Sequence, residues 1–120
     1  MKTRYIISRY SGTKKEIRFN LRIARFTARK VLDKGYLPVV PHIYFTQFLD
    51  DRNYYEHTKG TQIALDLLKD CDCATVVIVD GYISEGMKAE IKCANELGKP
   101  IRIMHYSKPG IKKLLRKSGV

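Results

Sequence analysis

Apolar positions along the chain alternate between a period of two and a period near 3.6. Arg4–Ser8 is short, β-branched and followed by Ser11-Gly12, which predicts a strand running into a loop. Asn20 stands where it can cap a helix through about Lys34, with Leu21, Ala24, Ala28, Val31 and Leu32 on one face and Gly35 as the stop. Leu37–Val40 reads as a second strand, closed by Pro41-His42. Pro38 inside it predicts a sheet edge or irregular pairing. The stretch from Ile43 to Lys59 has the least period and carries Tyr44, Phe45, Phe48, Tyr54 and Tyr55, the pattern of a functional flap. From Thr61 to Asp70, Ile63, Ala64, Leu67 and Leu68 restore helical spacing. Ala74–Val79 is continuously apolar, as in a strand covered on both faces. Ser84 to Leu97 is a third long helix ended by Gly98, Ile101–Met104 a strand, and Ile111–Lys117 a short basic helix.

Strands alternating with helices at this spacing imply a parallel sheet wrapped by helices. The expectation is an α/β fold: a single three-layer, Rossmann-like or flavodoxin-like domain over residues 1–120, with a parallel sheet of four or five strands. Arg4–Ser8 and Ala74–Val79 should be central. Ligands of such sheets sit outside the carboxyl ends of the strands. That makes candidates of the loops Ser8–Thr13, with Tyr10 and Gly12, His42 onward, and Asp80–Ser84, with Gly81, and of His105-Tyr106-Ser107 after the fourth strand.

Composition narrows the class. At 120 residues with 44% hydrophobic and 29% charged side chains, the chain can build a core and is not a disordered tail. No apolar run approaches the ~20 residues of a membrane span, and the N-terminal apolar stretch is too short for a signal peptide, so a cytoplasmic protein without a membrane partner is expected. Three cysteines, at 71, 73 and 93, give no complete disulfide framework, and with three scattered histidines they supply no adequate zinc ligand set. No metal or cofactor is expected. The net charge of +11 is uneven: residues 1–34 hold 11 basic and 2 acidic side chains, and residues 100–120 hold 6 and none. Such asymmetry points to an anionic partner, from a nucleotide to RNA, or to a basic solvated exterior.

The most informative segment runs from Asp80 to Ile91. Ser84 stands at the cap position, and its hydroxyl with the free N–H groups of the first turn makes an anion seat. Gly86 in that turn permits close backbone approach. On a helical wheel Met87, Ile91, Ala94 and Gly98 form the inward stripe, and Glu90 projects within about 40° of its centre. A carboxylate there is costly unless it is paired or faces a polar cleft. Glu90 is therefore either a functional group or a stripe-edge glutamate salt-bridged to a neighbouring helix.

Taken in order, Ser8-Arg9-Tyr10-Ser11-Gly12, Pro41-His42, Phe48-Leu49-Asp50-Asp51 and Ser84 to Ile91 resemble the nucleoside 2-deoxyribosyltransferase-like superfamily over roughly residues 4–105. The match is closest to a small branch common in bacteria and phages. The resemblance implies that Glu90 is the nucleophile and that Tyr5 is the active-site tyrosine of the first strand. Ser84 falls where monophosphate hydrolases carry a serine and nucleoside transferases an acid, which implies a phosphorylated ligand. Ala64 falls where hydrolase relatives carry an aspartate, with Asp66 on a different helical face. Relatives are dimers or larger, so a homo-oligomer is implied.

The chemistry so implied is attack of Glu90 on the anomeric carbon of a nucleoside or nucleotide, giving a glycosyl–enzyme ester taken by water or another base. Catalytic candidates are Glu90, Tyr5 and Asp80, with His42 or Asp80 replacing the missing acid. Candidate ligand contacts are Ser8, Tyr10, Gly12, His42, Gly81, Ser84, Gly86 and Met87. Two alternatives stand beside this N-glycosidase or deoxyribosyltransferase. One is a non-catalytic nucleotide-binding module of the same fold. The other is nucleic-acid binding through Arg18, Arg22, Arg25 and Arg29, a ridge at i, i+4, i+7 and i+11.

Overall fold

In the computed structural model, which describes residues 1–50 and 52–119, four parallel strands lie in the order β2-β1-β3-β4. Asp51, part of the Phe-Leu-Asp-Asp motif, falls outside the described residues. The elements are β1 (Thr3–Ile7), α1 (Lys14–Asp33), β2 (Leu37–Val39), α2 (Pro41–Phe45), α3 (Tyr54–Asp70), β3 (Cys73–Val79), α4 (Glu85–Glu96), β4 (Ile101–Tyr106) and α5 (Lys108–Ser118). Tyr5 pairs with Val39 on one side and Ala74 on the other, and Val76 pairs with Ile103. β1 and β3 are thus the inner strands. β2, with Pro38 in it, is an edge, as a residue without an N–H requires.

Alternation along the inner strands builds two cores. Tyr5 and Ile7 of β1 and Ala74, Val76 and Ile78 of β3 face α3 and α4, where they meet Leu68, Met87 and Ala94. Ile6 and Val77 face the other way, onto Ile23, Phe26 and Val31 of α1 and Ile111 and Leu115 of α5. β3 is buried along nearly its whole length, which is why it lacks polar alternation.

Two helices start earlier than their apolar spacing predicts. α1 begins after Thr13, whose side-chain oxygen accepts from the Glu16 N–H at 3.2 Å while the Glu16 carboxylate accepts from the Thr13 N–H at 2.9 Å. This reciprocal cap overrides Asn20, which lies buried inside the helix and donates to the Tyr10 carbonyl at 3.0 Å. The inward stripe is Asn20, Ile23, Ala24, Thr27 and Val31, rotated from the expected one, and Leu32 is exposed. Thr13→Ala should cost about 1 kcal/mol and lower the melting temperature by a few degrees. A thermal melt of the variant that overlays the wild type would show the box contributes nothing. α3 begins at Tyr54 because the Asn53 side chain accepts from the Glu56 N–H at 3.2 Å. The expected flap therefore includes the first two turns of a helix. β4 and α5 are each longer than expected.

Candidate functional site

A cavity of about 590 Å³ opens at the carboxyl ends of β1 and β3, between α2, α3 and α4. Ser8 sits at its floor beside Met87 and Glu90 of α4. Pro41, His42 and Phe45 of α2 form one wall, and His57, Gly60, Thr61 and Ala64 of α3 form another at i, i+3, i+4 and i+7. Tyr10 and Tyr82 close the mouth, together with Ser84 and Gly86 at the start of α4.

Glu90 is only 7% exposed, and the Tyr5 hydroxyl, itself fully buried, donates to its Oε2. α4 carries Glu90 inward because Met87, Glu90 and Ala94 share its buried face, and β1 presents Tyr5 to the same layer. Burial pushes the Glu90 carboxyl up to about 7, against the opposing effect of the Tyr5 hydrogen bond. Tyr5 is held far above the usual phenol range, first by burial and then by the Glu90 charge. Tyr5 is therefore a neutral donor at any working pH. Glu90 changes charge near neutrality.

The Ser8 hydroxyl is buried and has no hydrogen-bond partner among the described residues. A buried hydroxyl without a partner costs free energy that a ligand's polar atom would recover. The backbone beside it is fixed: His42 Nε2 lies 3.2 Å from the Ser8 carbonyl, which makes that nitrogen the donor, and the His42 ring stacks on Tyr10 at 5.3 Å. The Ser84 side chain caps α4, accepting from the Met87 N–H at 3.2 Å. Beyond its own turn of helix, a Cβ at Gly86 would meet no atom of the described residues within 4 Å, so tertiary packing does not demand glycine there.

Of the sequence candidates, the structure brings Ser8, Tyr10, His42, Ser84, Gly86, Met87 and Glu90 to one cavity, with Tyr5 directly behind Glu90. Asp80, Gly81 and Gly12 are not among its lining residues. Asp80 takes a left-handed conformation (φ +51°), followed by Gly81 at φ +70°, and its carboxylate accepts from the Lys108 N–H at 3.0 Å. This turn aims Asp80 at α5, on the opposite side of the sheet, where it lines a smaller hollow of about 210 Å³. Gly12 (φ +149°) lets the loop close on α1; a Cβ there would lie 2.9 Å from that of Glu16. Ala64 lies on the wall, whereas Asp66 is exposed and accepts from Gln62 at 3.1 Å. Phe45, Leu49, Glu56 and His57 come from the stretch whose pattern predicts a functional flap, though it singles out none of them as a site residue, and Gly60 and Leu65 were missed. The signal for the α3 set was Asn53 with Glu56 three residues on, an N-terminal cap preceding the apolar run.

A parallel four-stranded sheet with helices on both faces makes this a flavodoxin-like α/β fold, the fold of 2-deoxyribosyltransferases. The chain belongs to the family described as domain of unknown function DUF7768, whose model matches residues 2–104. Among solved structures it is similar to the 2-deoxyribosyltransferase of the psychrotolerant bacterium Bacillus psychrosaccharolyticus, with a TM-score of 0.71 at 18% identity over 88% of this chain and 74% of that one. It is also similar to the 2-deoxyribosyltransferase of Leishmania mexicana, with a TM-score of 0.58 at 17% identity over 89% of this chain and 65% of that one. At these identities the likeness is one of fold. No protein of curated function matches the sequence. No helix among the described residues is long and apolar enough to cross a membrane.

Proposed function

We propose that the protein breaks and remakes the N-glycosidic bond of a nucleoside, with Glu90 as nucleophile. The observation that carries this reading is the buried Glu90 carboxylate, held by the Tyr5 hydroxyl and open to a cavity large enough for a nucleoside. Ionised Glu90 attacks the anomeric carbon as the bond from that carbon to the base nitrogen breaks. The bonding pair leaves with the base, which takes up a proton. The resulting glycosyl ester is then attacked at the same carbon by water or a second base, which releases the carboxylate. Tyr5 fixes which carboxylate oxygen faces the sugar, and Ser8 supplies a hydrogen bond to the ligand.

Among the described residues the lining contains Glu56, Glu85 and Glu90 and no Lys or Arg, so the unphosphorylated nucleoside fits better than the monophosphate that Ser84 implies. With Ala64 on the wall where the resemblance implies the hydrolases' aspartate, His42 Nε2 engaged on the Ser8 carbonyl and Asp80 turned to α5, proton delivery to the base falls to His57 or Glu56 of α3, or to solvent. Ala64 also favours a second reading, a module that binds the nucleoside without turnover. The test is prolonged incubation with matched ribo- and deoxyribonucleosides and their monophosphates, followed by chromatography of released base and by thermal shift for binding. Release from nucleosides is expected. Faster release from monophosphates would overturn the choice of substrate, and binding without release would leave the second reading.

A further inference from the structure

The positive charge of this chain is gathered on one face of the sheet. α1 and α5 together carry twelve Lys and Arg side chains against Glu16 and Asp33, a net +10 out of the chain's +11. They come from opposite ends of the sequence, yet they lie side by side over one core of Ile23, Phe26, Val31, Ile111 and Leu115. The opposite layer, α3 with α4, carries a net −2. The two carboxylates of the basic layer cannot neutralise it: Glu16 faces Arg9 at 3.2 Å and Asp33 faces Arg29 at 3.0 Å. Lys14, Arg18, Arg25 and Arg29 recur at i, i+4, i+11 and i+15 along one exposed ridge of α1, and Lys113, Arg116 and Lys117 are exposed on α5.

We propose that the α1–α5 face docks the phosphate backbone of a nucleic-acid duplex without reading its bases. Twenty residues make α1 about 30 Å long, and a duplex presents one charge per about 1.7 Å of its axis, so the ridge meets many phosphates at once. Single strands are bound on aromatic platforms, but among the described residues the exposed Phe and Tyr rings are Tyr44, Phe48, Tyr54, Tyr55 and Tyr82, all outside these two helices. Phe19 and Phe26 lie under Lys112 and Lys30 at 5.8 and 5.3 Å. An anionic membrane is the other extended polyanion, and a helix that lies in it needs an apolar face to insert. Here that face is spent on the core, with Ile111 and Leu115 essentially inaccessible. The proposal does not depend on the chemistry of the cavity.

The test is fluorescence anisotropy of a labelled random duplex DNA with increasing salt, for wild type and three triple variants that each remove three charges. The first is Lys14→Gln, Arg18→Gln, Arg25→Gln on α1; the second is Lys113→Gln, Arg116→Gln, Lys117→Gln on α5. The control is Lys59→Gln, Lys88→Gln, Lys92→Gln on the opposite layer. Four or more phosphate contacts give a slope of log affinity against log salt of about −4 or steeper, and each basic-face triple should lower low-salt affinity about tenfold and flatten the slope. The control should stay within about twofold of wild type, with melting curves verifying that each variant folds. A control loss equal to the other two would reduce the effect to net charge and overturn the proposal. So would a slope shallower than about −2, or tighter binding of single strands or of phosphatidylserine vesicles than of the duplex.

Discussion

Glu90→Gln is expected to make the protein more stable than the wild type at pH 8, by on the order of 3 kcal/mol, and to lose most of that advantage by pH 5. Burial lifts the Glu90 carboxyl to about 7 from an ordinary value of 4.5. Below pH 4.5 the group is neutral both folded and unfolded, and its contribution to stability is fully present. Between pH 4.5 and 7 the folded state holds the proton more tightly, so stability drains away as pH rises. Above 7 both states are ionised, and the wild type carries a buried charge that glutamine does not. The amide oxygen of the substituted side chain would still accept from Tyr5, so the packing behind it survives the change. Urea denaturation of both proteins at pH 5, 6, 7 and 8 measures the gap directly. A gap equal at pH 5 and pH 8 would mean that Glu90 does not titrate near neutrality.

What could be read in advance followed from how locally each feature is encoded. Ala74–Val79 announced a doubly covered strand through its own six residues, and Pro38 announced an edge through its missing N–H. Glu90 was legible because the stripe of Met87, Ile91 and Ala94 belongs to the same helix. The misses came where a polar residue had two uses. Asn20 has the chemistry of a cap but is spent inside α1 on the Tyr10 carbonyl, while Thr13 and Glu16 do the capping. His57 stood in an aperiodic stretch and Gly60 just beyond it; only with Asn53 as the cap of α3 do they share a face with Ala64. Asp80 follows the rule that strand ends face the ligand, but a left-handed turn redirects it to α5. The basic layer is legible as two charge runs, whereas their union on one face is a property of the sheet order.

Glu90→Ala is expected to lower base release by at least about 10³-fold while changing nucleoside affinity by less than about tenfold, because a nucleophile acts in the transition state and the rest of the cavity holds the ground state. The two quantities must be measured on the same preparation, base release by chromatography and affinity by calorimetry. Ionisation supplies an independent signature. Only the carboxylate can attack, so wild-type kcat/KM, which reports the free enzyme, should rise with pH and level off above about 7, the value to which burial lifts Glu90. Tyr5→Phe removes the hydrogen bond that opposes this lift, so its rising limb should move to higher pH even where its plateau rate is only modestly reduced. A packing defect lowers the rate at every pH and does not displace the limb. Equal loss of binding and turnover in Glu90→Ala, with a wild-type profile flat from pH 5 to 8, would assign Glu90 to holding the ligand rather than to attacking it.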